Sequence, residues 1–311
     1  MKINHDDPVI KVGYLVSYDW QLLKNSIPAI YADAGKIVLA IDINRTSWAG
    51  RPYSFAEEEF RAFIREVDIG GKIELYEDNF FDPSLTTMQN EVRERKMLAA
   101  KMGTGGWHVQ LDCDEYPIDF KRFVATLKEI DPDPDPSRIR KPVNVTGNFV
   151  PVIKAVEGGF LIVKPDPKSP ELCTLATQVP DYISGRRSGH FNIQTSLLIV
   201  HETQSRTEEE FYYKLKNWGH NADFDIDKHF ALWKSLDARN FASLKNFNPV
   251  EKTLWPALLF IKANDIQELI QKIAADQSIQ RSWWSLFWAN SRMIARAKTV
   301  FRRVRRSQLN P

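Results

Sequence analysis

The first third of the chain alternates between two hydrophobic patterns. Unbroken apolar runs, typical of buried strands, cover residues 9–17, 36–41 and 72–76. Between these runs, residues 22–31 and 55–67 carry apolar side chains at helical spacing. Because strands and amphipathic helices alternate, the pattern predicts a βαβαβ unit, which forms a parallel sheet with crossover helices on its faces.

A further helix is predicted over residues 85–102, and it carries a charged residue on its apolar face. Four apolar side chains define that face: Met88, Val92, Ala99 and Met102. Arg95 lies in the middle of it. An arginine that faces a core needs an anion, so we expect Arg95 to bind a phosphate or a site carboxylate. Alternatively, its guanidinium extends from the helix edge to solvent.

An acidic cluster follows the next apolar run. Residues 107–117 alternate in hydrophobicity, end in Asp112, Asp114 and Glu115, and are stopped by Pro117. Clustered carboxylates beside a core repel one another unless a metal ion or basic side chains compensate them. Mg²⁺ and Mn²⁺ are held by one or two carboxylates together with substrate phosphates. Asp112 and Asp114 therefore predict a Mn²⁺ or Mg²⁺ site at a strand end, and the alternative is a turn with surface acids.

The spacing of these two aspartates is weak support by itself. Asp-x-Asp occurs five times, at 112/114, 131/133, 133/135, 223/225 and 225/227. Only the first pair closes an apolar strand. The acids of residues 131–136 alternate with prolines, which predicts an extended, solvated loop.

Periodicity is looser after residue 120. It predicts a helix over residues 120–130 and strands over 143–156, 160–163 and 191–200, with a hairpin turn at 157–159.

Two polar residues of this second half are candidates for the same site. A capping box at Ser205 and Glu208 predicts a helix that ends at Gly219. His220 follows directly, and it is a candidate third metal ligand or phosphate contact; the alternative is an exposed capping histidine. His201 and Glu202 follow the strand at 191–200 and would reach the same sheet edge if that strand is parallel. Glu202 is a candidate general base, although strand-end acids are often only solvated.

Composition indicates a globular protein of ordinary charge. The chain has 311 residues, 43% of them hydrophobic, and a formal net charge of +2. Its two cysteines do not form a disulfide framework, and no secretory signal begins the sequence, so we expect a reducing, cytoplasmic location. No apolar run reaches eighteen residues, so no membrane-spanning segment is expected.

The order of these motifs resembles a known family. Ser17-Tyr18-Asp19 closes the first strand, Asp42 closes the second, Val92-Arg93-Glu94-Arg95 precedes the next, and Leu111-Asp112-Cys113-Asp114-Glu115 closes it. This order is similar to that of family 2 glycosyltransferases, which have the α/β, Rossmann-like GT-A fold with a mostly parallel sheet flanked by helices. The resemblance covers residues 9–120, and Asn217-Trp218-Gly219-His220 resembles the tail of a bacterial subgroup.

The resemblance implies roles for individual residues. Nucleotide contacts would come from Ser17, Asp19, Asp42, Arg95 and Asp112. The metal, Mn²⁺ or Mg²⁺, would be held by Asp112 and Asp114, with His220 on the metal or the diphosphate. Glu202 is our choice for the catalytic base. The family's paired acid at the second strand end is here Asp42-Ile43-Asn44. Inversion at the anomeric carbon is also implied.

The C-terminal segment combines aromatic and basic residues. Residues 281–311 contain no acid and interleave tryptophan and phenylalanine with arginine. This composition predicts an amphipathic helix at an anionic membrane surface. The alternative is that residues 283–288 pack on the catalytic domain. A nucleic-acid partner is not expected, because no recognised nucleic-acid module accompanies the segment.

Together these features predict a metal-dependent glycosyltransferase. Residues 1–265 would form the GT-A domain, with a nucleotide-sugar half (1–120) and an acceptor half (121–265), and residues 266–311 a basic helical extension. The enzyme would act at the inner membrane face on a glycan or lipid-linked precursor of the bacterial envelope. A nucleotidyltransferase, a metal-dependent phosphohydrolase and a non-catalytic sugar-nucleotide binder remain alternatives.

Overall fold

The predicted βαβαβ unit forms the first part of the molecule. The structure is a computed structural model that describes residues 9–251 and 253–294. Strands and helices alternate in chain order: β1 (Ile10–Val16), α1 (Leu23–Ile30), β2 (Lys36–Asp42), α2 (Glu57–Val67), β3 (Ile73–Asp78), α3 (Thr87–Met102) and β4 (Trp107–Asp112). β1 pairs in parallel with β2 and β4, and β2 pairs in parallel with β3. The four strands therefore end at one edge of the sheet.

The second part extends the same sheet with mixed pairing. Its elements are β5 (Glu115–Ile118), α4 (Phe120–Ile130), β6 (Val143–Val156), β7 (Gly159–Val163), β8 (Glu171–Thr177), β9 (Phe191–His201), α5 (Glu208–Asn217), α6 (Ile226–Ser235), β10 (Leu258–Lys262), α7 (Ile266–Ala275) and α8 (Trp283–Ala289). The strand order is β10-β7-β6-β8-β4-β1-β2-β3, and β9 pairs with β5 and β6. β9 joins β6 in parallel, which is the condition under which His201 and Glu202 reach the same sheet edge, whereas β8 is antiparallel to both β4 and β6. The α/β class is confirmed, with a sheet that is parallel in its first part and mixed in its second.

Helices cover both faces of the parallel part. Successive strand side chains point to opposite faces, so Val12 and Tyr14 pack in the cluster that includes α1, α2 and α4. Leu15 packs on the other face with Leu98 and Met102 of α3. A Cβ at Gly13 would lie 2.8 Å from Leu98 and from Met102, so α3 packs closely on β1. This packing fixes the helix that carries Arg95.

The acidic run differs from its expected form. We expected one strand stopped by Pro117, but β4 ends at Asp112, and Pro117 lies inside β5, opposite Ile199. β5 pairs with β9, and an edge strand of this kind tolerates a proline. The acids therefore occupy a tight turn between two strands.

The start and end of α5 also differ from the prediction. The capping box is formed by Thr207 and Glu210 rather than by Ser205 and Glu208. The helix ends at Asn217, with Trp218 as its C-cap in an extended conformation, so Gly219 lies beyond the cap.

The elements nearest the C-terminus differ in how they pack. Leu269 and Ile273 of α7 are buried beside β6, β7 and β9, so this helix packs on the sheet. In α8 no residue is buried. No helix within residues 9–251 and 253–294 is long and apolar enough to cross a membrane.

Candidate functional site

A cavity of about 480 Å³ lies at the carboxyl ends of β1, β2 and β4. Ligands of open α/β sheets bind in this position, and the volume is typical of small-molecule sites. The cavity is lined by most of the residues that the sequence singled out: Ser17, Asp19, Asp42, Arg95, Asp112, Asp114 and His220. Among the described residues that we predicted for the site, Glu202 alone lies outside this lining. The structure thus brings the predicted donor-site residues together.

The turn after β4 directs two acids toward the cavity. Cys113 is buried, and its Sγ donates to the backbone oxygen of Leu15 at 3.3 Å. Its neighbours Asp112 and Asp114 both line the cavity. The small side chain of Cys113 therefore anchors the turn to β1, and the flanking carboxylates stay at the site.

Basic side chains compensate Asp112 and Glu115 of this acidic turn. Nη2 of Arg95 lies 2.9 and 3.2 Å from the two carboxylate oxygens of Asp112. Arg186 binds Glu115 through both of its terminal nitrogens, each at 2.6 Å. Arg95 is buried and therefore reaches a site carboxylate rather than solvent, which was one of its two expected roles.

Asp114 is held by two further basic groups. Nη2 of Arg206 lies 2.7 Å and Nζ of Lys214 lies 2.5 Å from its Oδ2. Burial by itself raises the pKa of Asp114, but the charges of Lys214 and Arg206 outweigh burial and hold the pKa below its usual range. Asp114 is therefore a stable anion.

Arg206 also joins the acidic turn to the end of β1. Its Nη2 lies 3.1 Å from Oδ2 of Asp19, and the hydroxyl of Ser17 donates to Oδ1 of Asp19 at 3.2 Å. Burial raises the pKa of Asp19 despite the opposing charge of Arg206. The guanidinium of Arg206 thus joins the carboxyl ends of β1 and β4.

The carboxylate of Asp42 is occupied by backbone groups. Its Oδ1 accepts from the amides of Asn44 and Thr46, and its Oδ2 accepts from those of Phe80 and Phe81. A carboxylate has about four acceptor positions. Asp42 therefore fixes the two loops that follow β2 and β3, and a nucleotide contact through it would have to share an oxygen with these amides.

Glu91 of α3 lies close to the segments on which Arg186 and His220 lie. Its carboxylate accepts from Nε of Arg95 at 3.0 Å. A Cβ at Gly219 would lie 2.5 Å from Oε2 of Glu91, and one at Gly185 would lie 3.3 Å from its Oε1. Gly219 thus lies close to side-chain ends on α3 and beyond the cap of α5.

His220 lines the cavity but has its own partner. Its Nδ1 lies 2.6 Å from Oδ2 of Asp223, and the side chain is 37% exposed. Its ring packs edge-on against Trp218, 5.0 Å away. The hydrogen bond to Asp223 leaves Nε2 as the nitrogen available to a ligand. A role for His220 on a metal or diphosphate stays a prediction.

Glu202 lies behind the acidic turn. Its amide donates to the backbone oxygen of Asp114, and its Oε2 accepts from the hydroxyl of Tyr116 at 2.6 Å. Burial raises the pKa of Glu202, and the hydrogen bond from Tyr116 opposes this effect. The catalytic role that we predicted for Glu202 is not tested by this geometry.

The fit of a divalent cation depends on the two aspartates. Both basic groups contact Oδ2 of Asp114, whereas its Oδ1 lies 3.7 Å from Nε2 of His201, beyond hydrogen-bond distance. The side chain of Asp112 is 30% exposed. Both oxygens of Asp112 are also contacted by Arg95. A Mg²⁺ or Mn²⁺ ion held by these two carboxylates together with substrate phosphates stays a prediction. Within the part of the chain that the structure describes, no group of three or more His, Cys, Asp or Glu side chains could enclose an ion.

Several site residues were not found from the sequence. Arg186 and Arg206 lie in segments without periodicity, which carry no readable signal. Lys214 did carry a sequence signal, because it lies beside the apolar residues Phe211 and Leu215 of α5. This is the same signal that singled out Arg95.

A second surface lies away from the cavity. The aromatic side chains of α8 are 56–64% exposed: Trp283, Trp284, Phe287 and Trp288. The helix contacts β9 while these four rings face outward, so the alternative that residues 283–288 pack on the domain is not excluded by the exposure of the rings. Asn290 holds the end of the helix through the backbone of Gln194, at 2.7 and 2.9 Å. The basic residues between 296 and 306 lie outside the described residues.

Comparison with known proteins does not assign the chain to a family. No model of a protein family matches the sequence, and a search of the curated proteins finds no significant match. The resemblance to family 2 glycosyltransferases therefore stays a prediction.

Proposed function

We propose that the protein is a glycosyltransferase of the GT-A fold. It would move a sugar from a nucleotide-sugar donor to a hydroxyl of a glycan or lipid-linked precursor of the bacterial envelope. The observation that carries this proposal is the shared cavity, where the strand ends of β1 and β4 meet basic side chains that line it, among them Arg95, Arg186 and Lys214. Such a cavity suits an anionic diphosphate next to a neutral sugar.

The basic side chains have a direct role in this chemistry. Negative charge grows on the nucleoside diphosphate as its bond to the sugar breaks, so positive groups fixed in advance lower the barrier. Lys214 and Arg206 are held in place by Asp114. We assign Lys214, which lines the cavity, to the diphosphate, with Arg95 and Asp19 toward the nucleotide. Arg206 holds Asp114 and Asp19 in position.

A divalent cation belongs to the same proposal. Asp112 and Asp114 would hold Mn²⁺ or Mg²⁺, and when bound the ion would neutralise further charge on the leaving diphosphate. His220 would approach the same group from the rim of the cavity. A carboxylate in the acceptor half would take the proton of the acceptor hydroxyl.

A thermal-shift screen tests the donor part of the proposal. UDP-, GDP-, CMP- and dTDP-sugars would be added with and without Mn²⁺ to the wild type and to Asp112→Asn and Asp114→Asn. We expect one nucleotide class to stabilise the wild type, with a shift that needs the metal and is reduced in both variants. Stabilisation without metal would remove the ion from the proposal, and no stabilisation by any sugar nucleotide would contradict a donor site.

We also propose that the enzyme is cytoplasmic and binds the inner membrane peripherally. Exposed tryptophan and phenylalanine side chains on α8 support this, because such rings favour the membrane interface. Basic residues follow directly in the sequence, beginning with Arg292, and no acid compensates them up to residue 311. Their charge complements an anionic lipid surface. A lipid-linked acceptor would be presented at that surface.

A further inference from the structure

Strand β8 contributes a carboxyl group to the cavity that the sequence did not indicate. Glu171 begins β8 and lines the cavity. In the sheet register it lies opposite Phe149 of β6, whose ring is 4.5 Å from the ring of His201 at the end of β9. Glu171 therefore lies in the acceptor half of the chain, on a wall of the cavity built by the mixed part of the sheet.

One hydrogen bond fixes this carboxyl group. Nε1 of Trp255 donates to Oε2 of Glu171 at 2.8 Å, and Trp255 is itself buried against Phe247. A carboxylate has about four acceptor positions, so this bond orients the group and leaves capacity for a substrate hydroxyl. Both ends of the bond lie in the cavity wall.

Other carboxyl groups of the cavity have oxygens that are already occupied. Basic side chains bind Asp19, Glu91, Asp112 and Asp114. Both oxygens of Glu115 are bound by Arg186, although burial raises the pKa of Glu115 to about 7. Asp42 is held by four backbone amides. These contacts leave fewer acceptor positions for a substrate hydroxyl.

Glu94 and Glu202 are less well placed to meet an acceptor. Glu94 accepts a hydrogen bond from Nε1 of Trp48 and lies beside Arg95, among the groups expected at the nucleotide. Glu202 is bound by Tyr116 and lies outside the lining of the cavity.

Glu171 has a different electrostatic environment. Burial raises its pKa to about 7, the hydrogen bond from Trp255 opposes this effect, and the charge of Glu251 adds to it. A general base is most effective when its pKa lies near the working pH. A half-buried carboxyl group with an acidic rather than a basic neighbour meets this condition.

We propose that Glu171 is the general base that activates the acceptor hydroxyl, an assignment that rests on the proposed glycosyl transfer. The hydroxyl proton moves to the Glu171 carboxylate, and the hydroxyl oxygen forms a bond to the anomeric carbon of the donor sugar. The bond between that carbon and the phosphate oxygen breaks, and its electron pair leaves with the nucleoside diphosphate. Leu254 and Trp255 supply apolar wall beside the reacting hydroxyl.

The test compares Glu171→Gln with Glu202→Gln and Glu251→Gln. Steady-state transfer would be measured between about pH 5.5 and pH 9, and donor binding would be measured by thermal shift on the same samples. In Glu171→Gln we expect kcat to fall by about 10²–10⁴-fold while the donor-induced shift persists. The rise of wild-type activity through pH 7 should disappear in this variant.

The two other variants make the result specific. Glu251→Gln should retain the maximum rate and move the rise in activity to lower pH, because a negative neighbour of Glu171 is removed. Glu202→Gln should retain the wild-type pH profile. A Glu171→Gln enzyme with wild-type kcat, or one that loses the donor-induced shift, would overturn the assignment. No transfer by the wild type would instead contradict the proposed function.

Discussion

Nζ of Lys214 lies 2.5 Å from Oδ2 of Asp114, although 100 residues separate them along the chain. Asp114 lies in the turn after β4, and Lys214 lies on α5, so the contact joins the two halves of the cavity wall. Arg206 contacts the same oxygen. The positive groups are therefore positioned before any ligand binds, which is the arrangement that electrostatic stabilisation requires.

Replacing Lys214 tests this positioning. Lys214→Met removes one charge-assisted contact to the diphosphate, and Asp114 keeps Arg206 as a partner. We expect affinity for the nucleoside diphosphate to fall about tenfold to a hundredfold, the worth of one hydrogen bond to a charged group. Calorimetric titration measures the affinity. Lys216→Met on the same helix is the control, because Lys216 lies over the Tyr212 ring. Equal affinities for the two variants would contradict the role of Lys214.

Arg95 should contribute strongly to stability. Its removal in Arg95→Met leaves Asp112 and Glu91 without their buried cationic partner. Breaking such a pair costs about 3–5 kcal/mol in the free energy of unfolding. Lys101→Met is the matched control, because Lys101 lies on the same helix and forms an exposed pair with Glu74 that is worth at most about 1 kcal/mol. Urea unfolding would compare both variants, and similar losses would contradict a buried role for Arg95.

Gly219 should not tolerate a side chain. In Gly219→Ala the new Cβ would lie 2.5 Å from Oε2 of Glu91 and 3.1 Å from Met88. The Glu91 carboxylate would have to move and its hydrogen bond from Arg95 would weaken, so we expect a loss of about 1 kcal/mol in unfolding free energy together with weaker donor binding. Gly189→Ala is the control, since a Cβ there meets no atom within 4 Å. If both variants unfold at the wild-type urea concentration, the close packing of Gly219 on α3 is wrong.

Glu94 should make stability depend on pH. Burial raises the pKa of Glu94 from 4.5 to about 8. The folded protein then keeps a proton that the unfolded chain has lost, so this group stabilises the fold below about pH 4.5 and loses its contribution as pH rises toward 8. Glu94→Gln removes this loss.

Unfolding of wild type and Glu94→Gln at two pH values isolates that effect. Between about pH 5 and pH 9, the stability of the variant relative to the wild type should increase by more than about 1.4 kcal/mol, the equivalent of one pKa unit. A constant difference across this range would show that Glu94 titrates normally.

The aromatic side chains of α8 should govern membrane binding. Replacing Trp283, Trp284, Phe287 and Trp288 with serine should weaken binding to vesicles of anionic phospholipid by at least about tenfold. The change should leave the melting temperature near the wild-type value, because these side chains are exposed. Vesicle co-sedimentation measures the binding. The control is Ile69→Ser, since Ile69 is 88% exposed elsewhere on the surface. Unchanged sedimentation of the α8 variant would contradict the membrane proposal.

The sequence predicted those features that depend on local pattern. The parallel strands, their crossover helices and the placement of Ser17, Asp19, Arg95, Asp112 and Asp114 at one edge follow from periodicity and from the geometry of parallel sheets. Strands β8 and β10 were missed, since their runs of five to seven residues pair with partners far along the chain.

The cationic half of the site was missed for a related reason. Arg186 meets Glu115 across 71 residues, and Lys214 meets Asp114 across 100. Such contacts depend on how loops and helices pack in three dimensions. The position of Lys214 beside the apolar residues of α5 indicated a buried charge, but not its partner. Glu171 looked like an ordinary polar residue until its burial beside Trp255 gave it a distinct environment.

The most direct test of the account is a transfer assay with mass detection. Purified wild-type protein would be incubated with Mn²⁺, the nucleotide sugar found by thermal shift, and acceptor glycans or lipid extracts from bacterial envelopes. Glycosyl transfer predicts an acceptor that gains the mass of one sugar residue, with one nucleoside diphosphate released for each sugar transferred, and loss of both products in Asp114→Asn. Release of nucleoside monophosphate or pyrophosphate without sugar transfer would instead identify a phosphohydrolase or nucleotidyltransferase, and donor binding with no product would identify a non-catalytic binder.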